Sequence, residues 1–439
     1  MENKNEVYHR LVVDITDWNA FLAGGSAISG IQRVTLNLLR SLAKQGLPFK
    51  IIRYDEKTRA HRLVETEFLS QDFSQRRQPS VRGKFPVPSP YAHGMYRHVT
   101  STMRRRASEL FKRQYDNPLD CLGPTYRPCD GDVLYLAGAG WDCYPTLNAA
   151  ESLRRAARIR VVSEIFDLIP LFPDIYHDRR GARQFRRWLR HAVMISDSFI
   201  CLSKHTRDDF LRNGGKFGLA QDTHAAVVTP AHEFSSDPPF SAQSGEIPRP
   251  QRSYVLCVAH VFNHKNARRL IEAWLGLSLI YPLEADLVLA GATPRSEILA
   301  RYGSVPRLQI IERPSDTFLA NLYKNAAFTV FPSLYEGWGM PVGESLWFGT
   351  PCLASSAASI PEAGGTMVDY FDPRASGELE TLLARALFEP DFVNARRSGI
   401  DRTRLKTWDD YAGDIFAAAT SAHPSIERSQ PSYGRAGDA

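Results

Sequence analysis

Short apolar runs alternate with helix-period stretches along most of this 439-residue chain. That alternation constrains the fold more than any other feature, because parallel strands must be joined by crossovers, usually helices, that cover both faces of the sheet. In the first half, "RLVVDIT" (10–16) is followed by a Gly-containing loop, "AFLAGGSAISG", and by "IQRVTLNLLRSLAKQG". In the last of these, Ile31, Val34, Leu38 and Leu42 share one helical face, and Gly46 ends the pattern. "PFKIIRYD", "DVLYLAG" (132–138), "RIRVVSEIFD" and "DSFICLS" read as further strands. In the second half the strands are "YVLCVA", "ADLVLAG", "LQII" and "FTVFP", with helices in "NARRLIEAWLGL" and "DTFLANLYKNA". The expected class is α/β, with two doubly wound units of similar size facing a cleft. Ligands of such sheets bind beyond the carboxyl ends of the strands. The expected limits are 1–235 and 254–420, with a linker at 236–253 inside a Pro-, Ser- and Gly-rich stretch and a flexible tail at 421–439.

Residues 56–130 break the rhythm and read as a long, basic, Pro-rich insertion. Between Gln75 and Tyr115 ten Lys or Arg stand against one acid, Glu109, and "RQFRRWLRH" (183–191) is a second basic run. Something negative is expected to approach that half of the molecule, either an acidic acceptor or an anionic membrane surface. Arg104, Arg105 and Arg106 with Leu110 and Phe111 fit a basic amphipathic helix at a lipid interface. No run of about 20 apolar residues is present, and the N-terminus lacks an apolar signal region, so a cytoplasmic protein is expected. Six cysteines without Cys-x-x-Cys spacing point to free thiols rather than to a disulfide framework or a zinc site.

The densest chemistry lies in "FPSLYEGWGMPVGESLWFGTPCLAS" (331–355). It follows an apolar strand, and Pro341 suits the first position of a helix that Gly349 terminates. The backbone N–H groups of Gly339, Met340 and the first helical turn are expected to meet an anion. Gly337 and Gly339 would let the backbone approach a ligand, since no Cβ intervenes. Glu336 from the loop and Glu344 from the helix are two acceptors suited to sugar hydroxyls.

This stretch, with "NLYKNAA" before it and "SSAASIPEAGG" and "DYFDP" after it, resembles the retaining glycosyltransferases of family 4, which have the GT-B fold of two Rossmann-like domains. The resemblance implies that Glu336 faces the transferred sugar, beside Trp338, and that Glu344 faces the nucleotide ribose. "VLCVAHVFNHKNARRLIEAW" resembles the family's strand and "Arg-Lys-Asn" turn; Lys265 and Asn266 match, His264 replaces the Arg and Ala259 replaces a Gly. Lys265 is thereby the implied contact to the donor diphosphate. Gly30, in "SGIQRVTLNLL", fits the family's glycine near the donor phosphates; Arg33 reads equally as a phosphate neighbour or a surface residue. "SEIFDLIPLFPDIY" resembles the acceptor-side "His-Asp-Leu" segment, with Phe166 in place of the His and Asp167 retained.

The implied activity is transfer of a hexose, of mannose or rhamnose type, from a nucleotide diphosphate sugar to a glycan or polyprenyl-linked acceptor. Neither cofactor nor metal is expected; Lys265, His264 and the helix amino end would meet the leaving charge. Asp130 and Asp132 have the Asp-x-Asp spacing of metal-dependent transferases, but they precede a strand, and turn chemistry explains them better. A sugar-nucleotide epimerase and a non-catalytic partner subunit are the alternatives. No recognised nucleic-acid module accompanies the basic insertion, so no nucleic acid is expected as a partner.

Overall fold

The computed structural model describes residues 10–18, 30–70, 122–142, 145–235, 250, 252–259, 263–291 and 295–421. The amphipathic helix expected at Arg104–Arg106 and most of the linker lie outside them.

Two sheets form, as the alternation requires. The first has the strands β1 (Arg10–Asp14), β2 (Phe49–Asp55), β3 (Ala60–Val64), β4 (Leu122–Thr125), β5 (Asp132–Leu136), β6 (Arg160–Ile165), β7 (Ser198–Cys201) and β8 (Ala225–Val227), in the order β4-β3-β2-β1-β5-β6-β7-β8. Its crossovers include α1 (Gly30–Lys44), α2 (Pro145–Ala156), α3 (Arg179–Ile195) and α4 (Lys204–Gly214). Leu11, Val12 and Val13 are all fully buried, because helices cover both faces of β1. On α1, Val34, Leu38 and Leu42 face the core, and Gly46 at φ +65° ends the helix with Leu47 N–H donating to the Leu42 carbonyl at 3.1 Å.

The second sheet contains β9 (Tyr254–Val258), β10 (Asp286–Gly291), β11 (Leu308–Glu312), β12 (Phe328–Phe331), β13 (Cys352–Ser355) and β14 (Asp369–Phe371), all parallel, in the order β11-β10-β9-β12-β13-β14. It is wrapped by α5 (Ala267–Ile280), α6 (Arg295–Tyr302), α7 (Asp316–Asn325), α8 (Met340–Trp347), α9 (Ile360–Gly364), α10 (Glu378–Phe388) and α11 (Pro390–Ser398). The last helix is α12 (Trp408–Thr420).

Two features differ from the sequence reading. The supposed insertion begins and ends as sheet: β3 pairs antiparallel with β2, and β4 antiparallel with β3. Polar alternation disguised β3, whose His61 is buried against Asp14 at 3.2 Å. Second, α12 does not join the sheet that precedes it. Trp408, Tyr411, Ala412 and Ile415 are buried in the core of the first sheet. Tyr411 Oη donates to Glu164 Oε1 at 2.7 Å, and the Arg160 guanidinium donates to the carbonyls of Ala419 and Ser421 at the helix end. Grouping residues up to 420 with the second unit thus misses where their apolar face is buried.

Asp130 and Asp132 form a turn, as expected. Gly131 is left-handed (φ +84°), Asp130 Oδ1 accepts Arg158 N–H at 3.0 Å, and the Asp132 carboxylate is engaged by Arg10, Tyr126 Oη and Cys129 N–H. Cys129, Cys201, Cys257 and Cys352 are free thiols. Among the described residues no helix is long and apolar enough to cross a membrane.

Candidate functional site

The site is assembled from loops at the carboxyl ends of strands in both sheets. After β9 the chain makes a tight turn through His264 and Lys265, and Asn266 takes a left-handed conformation (φ 54°) that asparagine tolerates better than most side chains. Asn266 Nδ2 donates to the Pro332 carbonyl at 3.1 Å, and Leu334 N–H donates to the His264 carbonyl at 2.7 Å. These bonds lock the 264–266 turn to the loop after β12. Asn266, expected among the donor-binding residues, thus holds the turn through its side chain.

That lock brings Lys265 to Glu336. Nζ stands 2.8 Å from both carboxylate oxygens, and it also lies 5.9 Å from the centre of the Phe331 ring. The Glu336 carbonyl accepts from Ser359 Oγ at 2.7 Å, which fixes the backbone beneath the carboxylate. Asp167, from the loop after β6, is the third charged member. Burial pushes its carboxyl up to about 6, the Ile169 N–H bond at 2.8 Å opposes that shift, and Glu336 and Lys265 act on it with opposite signs.

Gly337 departs from its expected role. A Cβ there would collide with the Phe166 carbonyl oxygen, so the missing side chain admits the backbone of the other unit rather than a ligand. Gly339 does require glycine, at φ +131°, where it opens α8. Val342 and Gly343 N–H both donate to the Gly339 carbonyl, at 2.9 and 3.3 Å, so these two groups of the first turn are already engaged. Trp338 is buried in the core around α8 and edge-on to His232. Met340 and Pro341 are half-buried at the helix start. Among the described residues, a Cβ on Gly30 would meet nothing within 4 Å.

Glu344 sits on α8 with Tyr323 Oη donating to Oε2 at 2.7 Å and Arg33 Nη1 3.5 Å from Oε1. Burial raises its carboxyl above the usual range, against the pull of Arg33 and Tyr323. Arg33 Nη2 also reaches Asp316 Oδ1 at 2.7 Å. Burial opposes the charge on Arg33, but Asp316 and Glu344 outweigh it and hold the guanidinium protonated. Arg33 is thus a bridge between α1 of the first unit and α7 and α8 of the second. Tyr323 and Asp316 were missed by sequence reasoning, since an apolar-face tyrosine and a first-turn aspartate look like ordinary helix residues.

The loop from 334 to 338 is clamped onto the first unit. Tyr335 Oη donates to Asp209 Oδ2 at 2.6 Å, and Thr206 Oγ1 to the Gly337 carbonyl at 3.2 Å. Glu362 accepts from the N–H groups of Lys204 and His205, both at 2.8 Å, capping α4 from the opposite unit. Ile169, Ile175 and Tyr335 form a small apolar cluster across the cleft. Lys265, Glu336, Asp167, Glu344 and Arg33 are therefore held where the units meet, with an ammonium and a guanidinium among three carboxylates.

Comparison with known proteins agrees with this architecture. Residues 252–384 match the family described as Glycosyl transferases group 1. No curated protein sequence matches the chain. Among solved structures, a sucrose-phosphate synthase from Thermosynechococcus elongatus is similar at 15% identity and a TM-score of 0.56, over 94% of this chain and 100% of that one. HepE from Anabaena, solved with UDP and glucose, is similar at 13% identity and 0.54, over 94% and 100%. A glycosyltransferase from Rickettsia africae is similar at 12% identity and 0.53, over 94% and 97%. The chain has the GT-B fold, with two Rossmann-like units whose parallel-rich sheets face one cleft, as the sequence led us to expect.

Proposed function

We propose that this protein transfers a hexose, of mannose or rhamnose type, from a nucleotide diphosphate sugar to a hydroxyl of a glycan or lipid-linked glycan, with retention of anomeric configuration. The observation that carries the reading is the Lys265–Glu336 pair at the carboxyl ends of β9 and β12, inside the segment that matches Glycosyl transferases group 1.

When the C1–O bond to the diphosphate breaks, negative charge develops on the leaving oxygen. Lys265 is oriented by Glu336 to meet that charge without rearranging at the moment of reaction. The acceptor hydroxyl adds to C1, and its proton passes to the leaving diphosphate. Glu344, held by Tyr323 and Arg33, offers carboxylate oxygen to ribose hydroxyls, and Arg33 couples that contact to closure of the two units. Asp167, with its raised carboxyl, faces Glu336 and Lys265 from the acceptor-side unit.

The test is thermal denaturation with a panel of nucleotide sugars. One or a few are expected to raise the melting temperature, by RT ln(1 + [L]/Kd) in free energy, and Glu344→Ala is expected to abolish the rise. A panel without any shift would refute donor binding. Conversion of a donor with no acceptor present would favour an epimerase instead.

A further inference from the structure

The helix α3 carries a second basic feature that the cleft does not use. Arg179, Arg180, Arg183, Arg186, Arg187 and Arg190 are all exposed. At 100° per residue they fall within an arc of about 120° and form one stripe over the helix, which is about 25 Å long. No residue of α3 is acidic, and among the described residues no carboxylate pairs with any of the six guanidinium groups. Asp178, just before the helix, is engaged with Arg180 N–H as the cap, and Glu151 of α2 is engaged with Arg155 and His191.

The stripe starts at the mouth of the cleft. Ile175, four residues before Arg179, packs with Tyr335 of the site loop, and Asp174 lies 3.5 Å from Arg374 of the opposite unit. From there the arginines lead outward over the face of the acceptor-side unit.

We infer that the α3 stripe binds the acceptor, and that the acceptor is an acidic polysaccharide whose chain leaves the cleft along this helix. The inference rests on the transferase reading above. Guanidinium groups fit carboxylate, sulfate and phosphate in a paired, planar geometry, and a row of them at helical spacing matches a linear polyanion. A membrane-bound amphipathic helix turns its apolar face to the lipid. On α3 that face, with Phe185, Trp188, Leu189 and Val193, is packed into the protein core, leaving Met194 at the far end as its exposed large apolar side chain. Single-stranded nucleic acid is held by exposed aromatic rings between basic groups, and both aromatic residues of α3, Phe185 and Trp188, are buried.

The experiment uses the full chain and a fluorescein-labelled oligogalacturonate, read by anisotropy at low and high salt, with labelled neutral dextran as the control. The unmodified protein is expected to bind the acidic oligomer and not dextran, more weakly as salt rises. Arg186→Glu/Arg187→Glu/Arg190→Glu is expected to weaken binding by about tenfold or more. The milder Arg186→Gln/Arg187→Gln/Arg190→Gln variant is expected to weaken it in the same direction. Both variants should keep the donor-induced rise in melting temperature, since these three residues lie away from the cleft. Equal binding by the variants and the unmodified protein overturns the inference. So does tighter binding to phosphatidylglycerol-containing vesicles or to an oligo-dT of equal charge. Donor binding without binding of the acidic oligomer overturns the stripe alone; binding of the oligomer without any donor overturns the acceptor role together with the transferase reading.

Discussion

Lys265 Nζ and the Glu336 carboxylate hold each other at 2.8 Å through both oxygens, across 71 residues of sequence. A cation and an anion that are each suited to a ligand are thus paired with one another. Each fixes where the other points.

This pairing sets the first expected outcome. Lys265→Ala and Glu336→Ala should each lower transfer by about a hundredfold or more, the size seen when one group that meets developing charge is removed. Each should also destabilise the fold by about 1 to 3 kcal/mol, between the cost at an exposed pair and that at a buried one. Removing both with Lys265→Ala/Glu336→Ala should cost less than the sum of the two. Urea denaturation of the three proteins measures this, and strict additivity would show that the pair contributes no coupling.

Gly337→Ala places a Cβ against the Phe166 carbonyl oxygen. The backbone on both sides is held, by Ser359 to the Glu336 and Trp338 carbonyls and by Thr206 to the Gly337 carbonyl, so the clash cannot be relieved by a side-chain rotation. The units are expected to part at this contact, giving a larger radius of gyration in solution scattering and loss of transfer with each unit still folded. A variant of native dimensions and full turnover would contradict the close approach.

Transfer is expected to survive EDTA. On the proposed mechanism leaving-group charge falls to Lys265, while the Asp-x-Asp pair is engaged with Arg10, Tyr126 and Arg158. Activity that chelation removes and magnesium or manganese restores would overturn this mechanism.

Glu164 gives a pH-dependent outcome. Burial raises its carboxyl to about 7, against the opposing bond from Tyr411. Its folded value lies above its unfolded one, so the stability it contributes is fully present below the unfolded value and is lost as pH rises through about 7. Glu164→Gln removes that loss. Relative to the unmodified protein, the variant should gain on the order of 2 to 3 kcal/mol between pH 5 and pH 8, because each tenfold difference in proton affinity between the folded and unfolded chain is worth about 1.4 kcal/mol. Denaturant titrations at the two pH values report the difference, and a constant gap between the proteins would mean that Glu164 does not titrate in this range.

The sequence by itself determined two parallel-rich sheets, though not the antiparallel β3 and β4 at the edge of the first, since apolar runs alternating with helix-period stretches admit few other solutions. It also singled out Glu336 and Glu344, whose neighbours Gly339 and Pro341 signal a loop entering a helix at a strand's carboxyl end, whereas Lys265 stood out only through the resemblance of its turn to a family pattern. What only the tertiary structure decided is who meets whom across the cleft. Gly337 is glycine because Phe166 lies against it, Asn266 is bonded to Pro332, and Arg33 bridges Asp316 and Glu344 from 283 and 311 residues away. Helix α12 returns to the first sheet because its apolar face fits the core there. Local patterning records which face of an element is apolar, but not which distant surface will cover it. That choice is made by the packing of the whole chain.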